Sequence, residues 1–496
     1  EIIYCSFTRV AARVAMQRIL ERFSEYSEND FKYFSTVHSV CFHLLGLQRN
    51  DIFSTKQLNK FGKMYNYDFT PQEGTDPFAQ TIQDMAIITI ADYYESLCSY
   101  WKNTVMSLGD AIIAYTKGIP PFGFSREGFE TYIKRRDAYK QEKKLLDFPD
   151  MLLEVLKGDL CPPSIKVLLL DEAQDFFPLL WDVIKMWAKK IERIYMAADP
   201  YQAIFSWSGA SPSLFIDFPA DKTLTLKQSH RCPREVHDLS RRIVGRFKTR
   251  YKDDDYIPRD ADGTITSSID FDFTEKPTFW LFRTRYLLNQ TYDYLKLRGI
   301  PFRTRKGKKN IFDAKKERKR RVVVNLLRLP EKPIKLFDVE DIMEFIPSKV
   351  GKVTLIERGS KKMVSEDVKI DPDRAVSWQD LLYLGFTPEF MSHTGTSLLE
   401  LLVGKEFPEK SYIRSVVDKY GVSVLQKKPN LELGTFHSSK GDESSRVIID
   451  PTLTRKPFNN FVNGNEEEHR LIYVAVTRSS DQVVTLLPSK NTFYPI

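Results

Sequence analysis

The stretch VLLLDEAQD, residues 167–175, is an apolar run that ends abruptly in two adjacent carboxylates, Asp171 and Glu172. A short apolar run bounded by polar residues is typical of a buried strand. In folds that hydrolyse nucleotides, the first acid at such a strand end holds Mg²⁺, and the second can polarise the attacking water. A solvated acidic turn would give the same letters, so this stretch by itself favours the two interpretations equally.

The bulk composition is that of an ordinary globular protein. The chain has 496 residues, 42% of them hydrophobic and 28% charged, which predicts roughly two to four domains. Its 74 Lys+Arg and 66 Asp+Glu give a net charge of +8, which is compatible with a polyanionic partner without establishing one. No apolar run approaches the ~20 residues that span a bilayer, so we expect no membrane association.

Five cysteines are scattered along the chain without a Cys-x-x-Cys pair. This spacing argues against a disulfide framework, a zinc ribbon and an iron–sulfur cluster. It predicts a reducing, intracellular setting, and we expect a cytoplasmic protein.

Strand and helix patterns alternate over residues 1–45 and 144–232, which we interpret as one α/β domain. A helical pattern covers Arg9–Phe23, and Asp171 directly follows one of four expected strands. The expected strands are Ile2–Cys5, Val167–Leu170, Ile194–Ala197 and Thr223–Leu226. Residues 46–143 are rich in Tyr and Phe, with helical periodicity over Phe78–Tyr115, and we interpret them as a helical insertion.

A second α/β domain is predicted from residues 233–307 and 429–496. It contains an expected strand at 278–282, a helix at 286–298 and a new strand after Pro301. Residues 308–428 interrupt it as a second insertion, with a hairpin near Val353–Ile356 and a helix near Trp378–Leu384. The predicted fold class is therefore α/β, with two parallel-sheet domains that each carry a mostly helical insertion.

The expected strand at 194–197 runs into a polar turn that contains Gln202, Phe205 and Trp207. A glutamine amide at a strand end can sense a terminal phosphate, and exposed aromatic rings can stack on unpaired bases. The alternative is that both rings belong to the core. Their spacing beside Gly209 favours a loop platform.

Three further segments carry candidate phosphate contacts. Arg231 and Arg478 follow an expected strand and an expected helix, and either can act as an arginine finger, although most arginines are simply surface residues. Residues 434–443, GTFHSSKGDE, combine hydroxyls, a His and a Lys with glycines, which suits contacts to phosphates.

Taken in their order and spacing, these segments resemble the superfamily 1 helicases of the UvrD/Rep/PcrA group. The resemblance extends to Cys5–Ala12, Thr36–Ser39 and Leu146–Leu152, and so covers nearly the whole chain. It implies two RecA-like domains of the P-loop NTPase type. It also implies an ATP- and Mg²⁺-dependent DNA helicase or translocase that moves 3′→5′ on single-stranded DNA, works at junctions of single- and double-stranded DNA, and serves repair or replication. On this basis we expect a nucleoid-associated monomer.

The resemblance also implies roles for single residues. Asp171 would coordinate Mg²⁺, and Glu172 would orient or deprotonate the hydrolytic water. Contacts to the γ-phosphate would come from Gln202, Arg231 and Arg478. Three residues would contact the rest of the nucleotide: Gln174, His230 and Glu443. The single-strand track would comprise Phe7, Thr8, His38, Phe205, Trp207, Thr435 and His437.

The sequence departs from the family pattern at three places. His230 stands where a stacking Tyr is usual, and Ser208 stands where an Arg is common. No Gly-x-x-x-x-Gly-Lys-Thr loop occurs in the chain. Because the chain opens directly in a strand pattern at Glu1, we expect the loop to lie upstream or on a separate segment.

Two alternatives stay open beside the helicase. One is a DNA-binding or scaffold protein that hydrolyses nothing, because the phosphate loop is missing. The other is a motor subunit of a helicase–nuclease or defence complex, in which the nuclease would be a partner.

A basic run follows the expected strand after Pro301. It comprises Arg303, Arg305, Lys306, Lys308, Lys309, Lys315, Lys316, Arg318, Lys319, Arg320 and Arg321. A solvated linker and a grip on duplex phosphates explain this run equally well.

Overall fold

The computed structural model describes residues 2–70, 89–116, 120–250, 256–305 and 307–496. The chain forms two compact units. The first consists of Glu1–His230, Asp238–Arg259 and Lys456–Val474, and the second of Arg231–His237, Asp260–Arg455 and Ala475–Ile496. Each unit contains a parallel sheet with helices, which confirms the predicted α/β class and agrees with two RecA-like domains.

The sheet of the first unit has four parallel strands in the order β2-β1-β3-β4. They are β1 (Ile2–Ser6), β2 (Phe34–Thr36), β3 (Val167–Asp171) and β4 (Arg193–Met196). Ile3, Cys5, Leu168 and Leu170 are buried on one face. The register pairs Ser6 with Asp171, so β1 and β3 end at the same level.

Helices of the first part of the chain cover this sheet and form the segment of residues 46–143, which was predicted as a helical insertion and is called the insertion below. They are α1 (Arg9–Arg22), α2 (Val37–Leu44), α3 (Thr55–Tyr65), α4 (Ile90–Thr104), α5 (Leu108–Thr116), α6 (Arg126–Lys143), α7 (Phe148–Lys157), α8 (Pro178–Ala188), α9 (Pro212–Ile216) and α10 (Arg234–Val244). Thr8 and Thr36 cap α1 and α2 with their hydroxyls. The predicted helical periodicity from Phe78 falls partly on residues 71–88, outside the described residues.

The expected strand at Thr223–Leu226 is wrong, because these residues have no regular structure. Leu224 and Leu226 are 75% and 90% exposed. An alternating pattern forms a strand only where a neighbour accepts its hydrogen bonds and covers one face. In the described part of the chain the sheet stops at β4, whose outer edge has no strand partner.

Aromatic side chains fill the core of the insertion, where Phe61, Tyr94, Phe129 and Tyr132 are buried together. Next to these aromatic side chains lies a buried ionic cluster, which Tyr132 contacts through Glu95. Arg136 binds Glu95 with two nitrogens, both at 2.7 Å, and contacts Asp147 at 2.5 Å.

Asp147 connects this cluster to the core, because its carboxylate also caps α7 by accepting from the Asp150 amide. Lys140 donates to Asp147 at 2.7 Å, and Lys102 lies 3.4 Å away. Burial alone would raise the pKa of Asp147, but Arg136 and the two lysines outweigh it and hold that pKa well below its usual range.

The second unit has a six-stranded parallel sheet in the order β5-β14-β13-β6-β12-β7. Its strands are β5 (Thr264–Thr266), β6 (Thr278–Phe282), β7 (Phe302–Thr304), β12 (Leu431–Thr435), β13 (Ser444–Ile449) and β14 (Ser479–Thr485). Every residue of β6 is buried, as expected for a strand covered on both faces.

Further helices and short strands follow along the chain. The helices are α11 (Arg285–Leu297), α12 (Glu317–Arg328), α13 (Leu336–Phe345), α14 (Ser360–Ile370), α15 (Pro388–Met391), α16 (Lys410–Tyr420), α17 (Arg455–Val462) and α18 (Glu467–Val476). Of these, α17 and α18 lie mostly in the first unit, which includes Lys456–Val474. The short strands are β8 (Ile334–Lys335), β9 (Lys349–Val350), β10 (Val353–Thr354) and β11 (Ala375–Val376). The hairpin β9–β10 confirms the prediction near Val353, whereas Trp378–Leu384 contains only the 3₁₀ turn Gln379–Leu381.

The basic run is largely neutralised by acids of the same unit. Its ion pairs are Arg303–Glu432, Arg305–Asp442, Lys308–Asp293, Lys309–Asp313, Lys316–Glu409, Arg318–Asp341, Lys319–Glu406 and Arg321–Asp341. Lys306 lies outside the described residues. Several of these pairs are exposed and therefore weak, so the run is compatible with both a linker and a phosphate grip.

Two negative findings hold for the described residues. None of their helices is both long and apolar enough to cross a membrane. All five cysteines are free thiols, and four of them are buried.

The buried cluster predicts a large effect for Asp147→Asn. The amide can still cap α7, but it leaves Arg136, Lys140 and Lys102 without their shared counter-charge, so the free energy of unfolding at pH 7 should fall by about 3–5 kcal/mol. Chemical denaturation measures this change. Because the folded pKa of Asp147 is depressed, the stabilisation is fully present above the ordinary carboxyl pKa and decreases as the pH falls below it.

Asp137→Asn is the matched control. Asp137 also contacts Lys102 and Lys140, but its side chain is 48% exposed, so the same change should cost less than about 1 kcal/mol. Equal losses for the two variants would contradict a special role for the buried charge.

Candidate nucleotide and nucleic-acid sites

The carboxyl end of β3 carries the two predicted catalytic acids. Asp171 is the last residue of the strand, and Glu172 follows with a left-handed φ of 55°. The Glu172 amide donates to Asp171 Oδ1 at 3.0 Å. A left-handed conformation is unfavourable for a residue with a side chain, and such strain is concentrated at functional sites.

Tyr4 of β1 is a neighbour of this site that the sequence interpretation missed. Its hydroxyl donates to Asp171 Oδ2 at 2.7 Å. Burial, followed by the hydrogen bond to Asp171, raises the pKa of Tyr4, so the phenol stays protonated and acts as a donor. Only the pairing of β1 with β3 brings the two side chains together, and a single sequence does not state that pairing.

Gln174 joins the ends of β3 and β4. Its side chain is fully buried, and its Nε2 donates to Glu172 Oε2 at 2.5 Å. Its Oε1 accepts from the Asp199 amide at 3.1 Å. Gln202 in turn donates to Asp199 Oδ2 at 2.7 Å. The structure thus brings Asp171, Glu172, Gln174 and Gln202 into one polar cluster.

This cluster fits a magnesium ion held together with a nucleotide. Mg²⁺ typically keeps several waters and binds one or two carboxylates plus substrate phosphates. Asp171 and Glu172 supply hard carboxylate oxygens at a strand end, where ligands of open α/β sheets bind.

A cavity of about 220 Å³ lies close to this cluster in the first unit. Phe7, His38, Phe205 and Trp207 of the predicted single-strand track line it. The ring centroids of Phe7 and Phe205 are 4.9 Å apart, and those of Phe205 and Trp207 are 6.1 Å apart. Phe205 is buried and Trp207 half-buried, so the two rings form a cavity wall and not an exposed platform.

His38 is an uncharged part of this wall. It is buried in the first turn of α2, and its ring contacts Phe148 edge-on. Burial, with a smaller contribution from Arg9, lowers its pKa to about 3. Thr8, by contrast, is exposed, and its hydroxyl is used as the cap of α1.

The insertion closes one side of the cavity. Its helix α4 packs on α8 and on the turn Ser206–Ser208. Gly209, at φ +94°, makes this approach possible, because a Cβ there would lie 2.4 Å from Thr104 Cγ2. A glycine is therefore required both by the backbone angle and by the packing.

The remaining candidates belong to the second unit, with the exception of His230. This residue is exposed and is the last one of the segment Glu1–His230 of the first unit. Arg231 Nε donates to Glu443 Oε2 at 2.7 Å, so these two predicted nucleotide contacts form an ion pair. Arg478 is 2% exposed, and its guanidinium contacts the Asp442 carbonyl at 3.5 Å.

Thr435 and His437 are also in the second unit. Thr435 ends β12, and both side chains are buried. The Ser438 amide donates to Thr435 Oγ1, so a tight turn holds the two residues close together.

Sequence comparisons find that the chain is similar to DNA helicases. Residues 1–223 match the UvrD/REP helicase N-terminal domain. The chain is 22% identical over 500 residues to the ATP-dependent DNA helicase Rep of Buchnera aphidicola subsp. Acyrthosiphon pisum, which covers 80% of this chain and 75% of that protein. It is also 22% identical over 480 residues to the putative ATP-dependent DNA helicase YjcD of Bacillus subtilis.

The match to YjcD covers 79% of this chain but only 61% of that protein, so the chain spans less than two thirds of this relative. A local match to the ATP-dependent DNA helicase Rep of Escherichia coli is 32% identical over 109 residues, which is 19% of this chain and 16% of that protein.

Packing at Gly209 gives a test of the contact between α4 and the loop from Phe205 to Gly209, which we call the aromatic loop. Gly209→Ala should lower the free energy of unfolding by about 2 kcal/mol or more, since it adds both backbone strain and a clash with Thr104. Thr104→Ser removes the clashing methyl and keeps the hydroxyl that donates to the Tyr100 carbonyl. In the Gly209→Ala background it should therefore recover part of the loss.

The measurement is a double-mutant cycle by chemical denaturation. A coupling energy of at least about 0.5 kcal/mol between the two changes is expected. Strictly additive effects would mean that α4 does not press on this loop.

Proposed function

We propose that this chain, a relative of the UvrD/Rep-type superfamily 1 helicases with a UvrD/REP helicase N-terminal domain over residues 1–223, works as an ATP-dependent DNA helicase or translocase on single-stranded DNA. The observation that carries the proposal is that the predicted catalytic acids and the aromatic cavity lie at the same edge of one sheet. Ser6 is paired with Asp171, and Phe7 follows Ser6 directly. The acids of the nucleotide site and the first aromatic residue of the cavity therefore extend from neighbouring strand ends.

We assign the chemistry of hydrolysis to the polar cluster. Asp171 would hold Mg²⁺, which would neutralise charge on the phosphates. Glu172 would take a proton from the attacking water, and Gln174 would orient Glu172 through the hydrogen bond that it already makes. Gln202, tied to Asp199, would sense the γ-phosphate.

Arg231 and Arg478 remain the candidates for stabilising charge on the transferred phosphoryl group. Arg231 would exchange Glu443 for the nucleotide, since its present partner is an exposed carboxylate. Glu443 and His230 are proposed to contact the ribose and the base.

The phosphate-binding loop is the component that the 496 residues do not contain. The outer edge of β4 has no strand partner among the described residues, and Tyr195 on β4 is 56% exposed. An additional parallel strand on β4 would end beside Asp171 and Gln202. We therefore propose that a strand carrying the Gly-Lys-Thr/Ser loop pairs with this edge.

One rival function follows from the same observation. Without the loop, the cavity and its aromatic residues would still suit a protein that binds single-stranded DNA and hydrolyses nothing. Movement from 3′ to 5′, action at junctions and a role in repair or replication are parts of the helicase proposal that rest on the resemblance.

The test is ATP turnover, measured with a protein that contains both these 496 residues and a Gly-Lys-Thr/Ser loop. Turnover should depend on Mg²⁺ and rise with single-stranded DNA. Glu172→Gln should lower it at least about 100-fold, because the general base is lost, while DNA affinity stays within about twofold. Glu154→Gln, a change in an exposed carboxylate on α7, is the matched control and should leave turnover unchanged.

If turnover survives in Glu172→Gln, the assignment of the base is wrong. If no turnover appears although DNA still binds, the non-hydrolysing rival is correct.

A further inference from the structure

Asp171, the acid that we assign to Mg²⁺, accepts a hydrogen bond on each of its two oxygens. Oδ1 accepts from the Glu172 amide at 3.0 Å, and Oδ2 accepts from the Tyr4 hydroxyl at 2.7 Å. The first bond comes from the backbone, whereas the second depends on the side chain at position 4. A carboxylate has about four lone-pair sites, so the two bonds fix its plane and leave roughly one site on each oxygen for an ion or its waters.

Tyr4 reaches Asp171 because of the strand register and the length of its side chain. Asp171 is paired with Ser6 on β1, and Tyr4 lies two residues earlier on the same face of the strand. Two residues of a parallel strand span roughly 6–7 Å. A small side chain at position 4 would therefore end short of the carboxylate, and a phenylalanine would fill the space without supplying the donor.

A second aromatic side chain orients the phenol ring. Phe34 of β2 is paired with Tyr4 in the sheet, and their rings are stacked, with centroids 5.4 Å apart and planes 20° apart. Phe34 is buried, and Phe31 packs edge-on against it at 4.8 Å between centroids. Packing thus limits the rotation of Tyr4 before its hydroxyl binds, as is required of a group that positions a ligand side chain.

We propose that Tyr4 is a positioning residue of the magnesium site, whose hydroxyl holds the Asp171 carboxylate in the orientation that binds the ion. The proposal rests on the proposed function, because it assumes that Asp171 is the metal ligand. Removing a group that hydrogen-bonds a metal ligand typically costs about 10–100-fold in metal affinity or activity. A Tyr4 that only filled space beside Phe34 would need its ring and not its hydroxyl.

Binding of Mn²⁺ to the 496-residue chain tests the proposal without ATP turnover. Like Mg²⁺, Mn²⁺ suits carboxylate and water ligands, and the electron paramagnetic resonance signal of the free ion gives the bound fraction. Asp171→Asn identifies the site, because the binding that it removes is the binding at Asp171. Tyr4→Phe should raise the dissociation constant of this site on the order of tenfold, since the ring stays and only the hydrogen bond is lost.

Tyr33→Phe is the matched control. Tyr33 is half-buried directly before β2, and its ring lies 5.4 Å from the Lys32 ammonium. Removing its hydroxyl should leave the Mn²⁺ affinity within about twofold of that of the unaltered chain. Circular dichroism spectra of the unaltered chain and both variants should coincide, so that a loss of affinity is not a loss of fold.

ATP turnover gives a second reading, in a protein that contains both this chain and a Gly-Lys-Thr/Ser loop. Tyr4→Phe should raise the Mg²⁺ concentration for half-maximal turnover on the order of tenfold, and saturating Mg²⁺ should restore most of the lost rate. Glu172→Gln has the contrasting pattern, because excess Mg²⁺ cannot replace a general base.

The outcomes separate the two proposals. Equal Mn²⁺ affinity of Tyr4→Phe and the unaltered chain, at a site that Asp171→Asn removes, overturns the positioning role and leaves the helicase proposal standing. Absence of any Mn²⁺ binding that depends on Asp171 overturns both the positioning role and the assignment of Asp171 to the metal.

Discussion

The parallel pairing of β1, β3 and β4 is the constraint on which the rest of the first unit depends. Parallel strands in register end at one edge, so the residues after each strand are forced into the same neighbourhood. In this chain the register sets Ser6 level with Asp171, and Gln174 then ties the end of β3 to the turn after β4. The hydrolysis and strand binding that we propose would share this edge, because the backbone hydrogen bonds of the sheet fix it.

The insertion is attached to this edge by packing and by charge. Gly209 admits Thr104 of α4 against the aromatic loop, and Asp147 joins the buried cations of the insertion to the cap of α7. Both connections end near the cavity, which Asp147 and Arg136 also line. A shift of the insertion would therefore change the polar wall of the cavity while the aromatic wall stays with the sheet.

Much of this arrangement could be predicted from the sequence where the signal is local. The apolar run before Asp171 predicts a buried strand, and the two residues that follow the run, Asp171 and Glu172, are the candidate acids. Phe205 and Trp207 were also identified from the sequence. Their spacing favoured an exposed loop platform, whereas in the structure the two rings line a cavity. Thr223–Leu226 was mispredicted because a strand needs a neighbour that its own letters do not encode.

Other features depend on pairing across long distances and were missed or left open. Tyr4 reaches Asp171 only through the β1–β3 ladder. For the basic run after Pro301 the sequence left a linker and a phosphate grip equally open, because acidic partners such as Asp341 and Glu432 are distant in sequence.

Hydrogen–deuterium exchange of the chain with and without oligo-dT shows whether DNA binds at the cavity lined by Phe7, His38, Phe205 and Trp207. If it does, exchange should slow on DNA binding in three segments: the backbone after β1 near Phe7, the loop from Phe205 to Gly209, and the end of α4 near Asn103. Slower exchange confined to the basic helix α12, with these three segments unchanged, would contradict it.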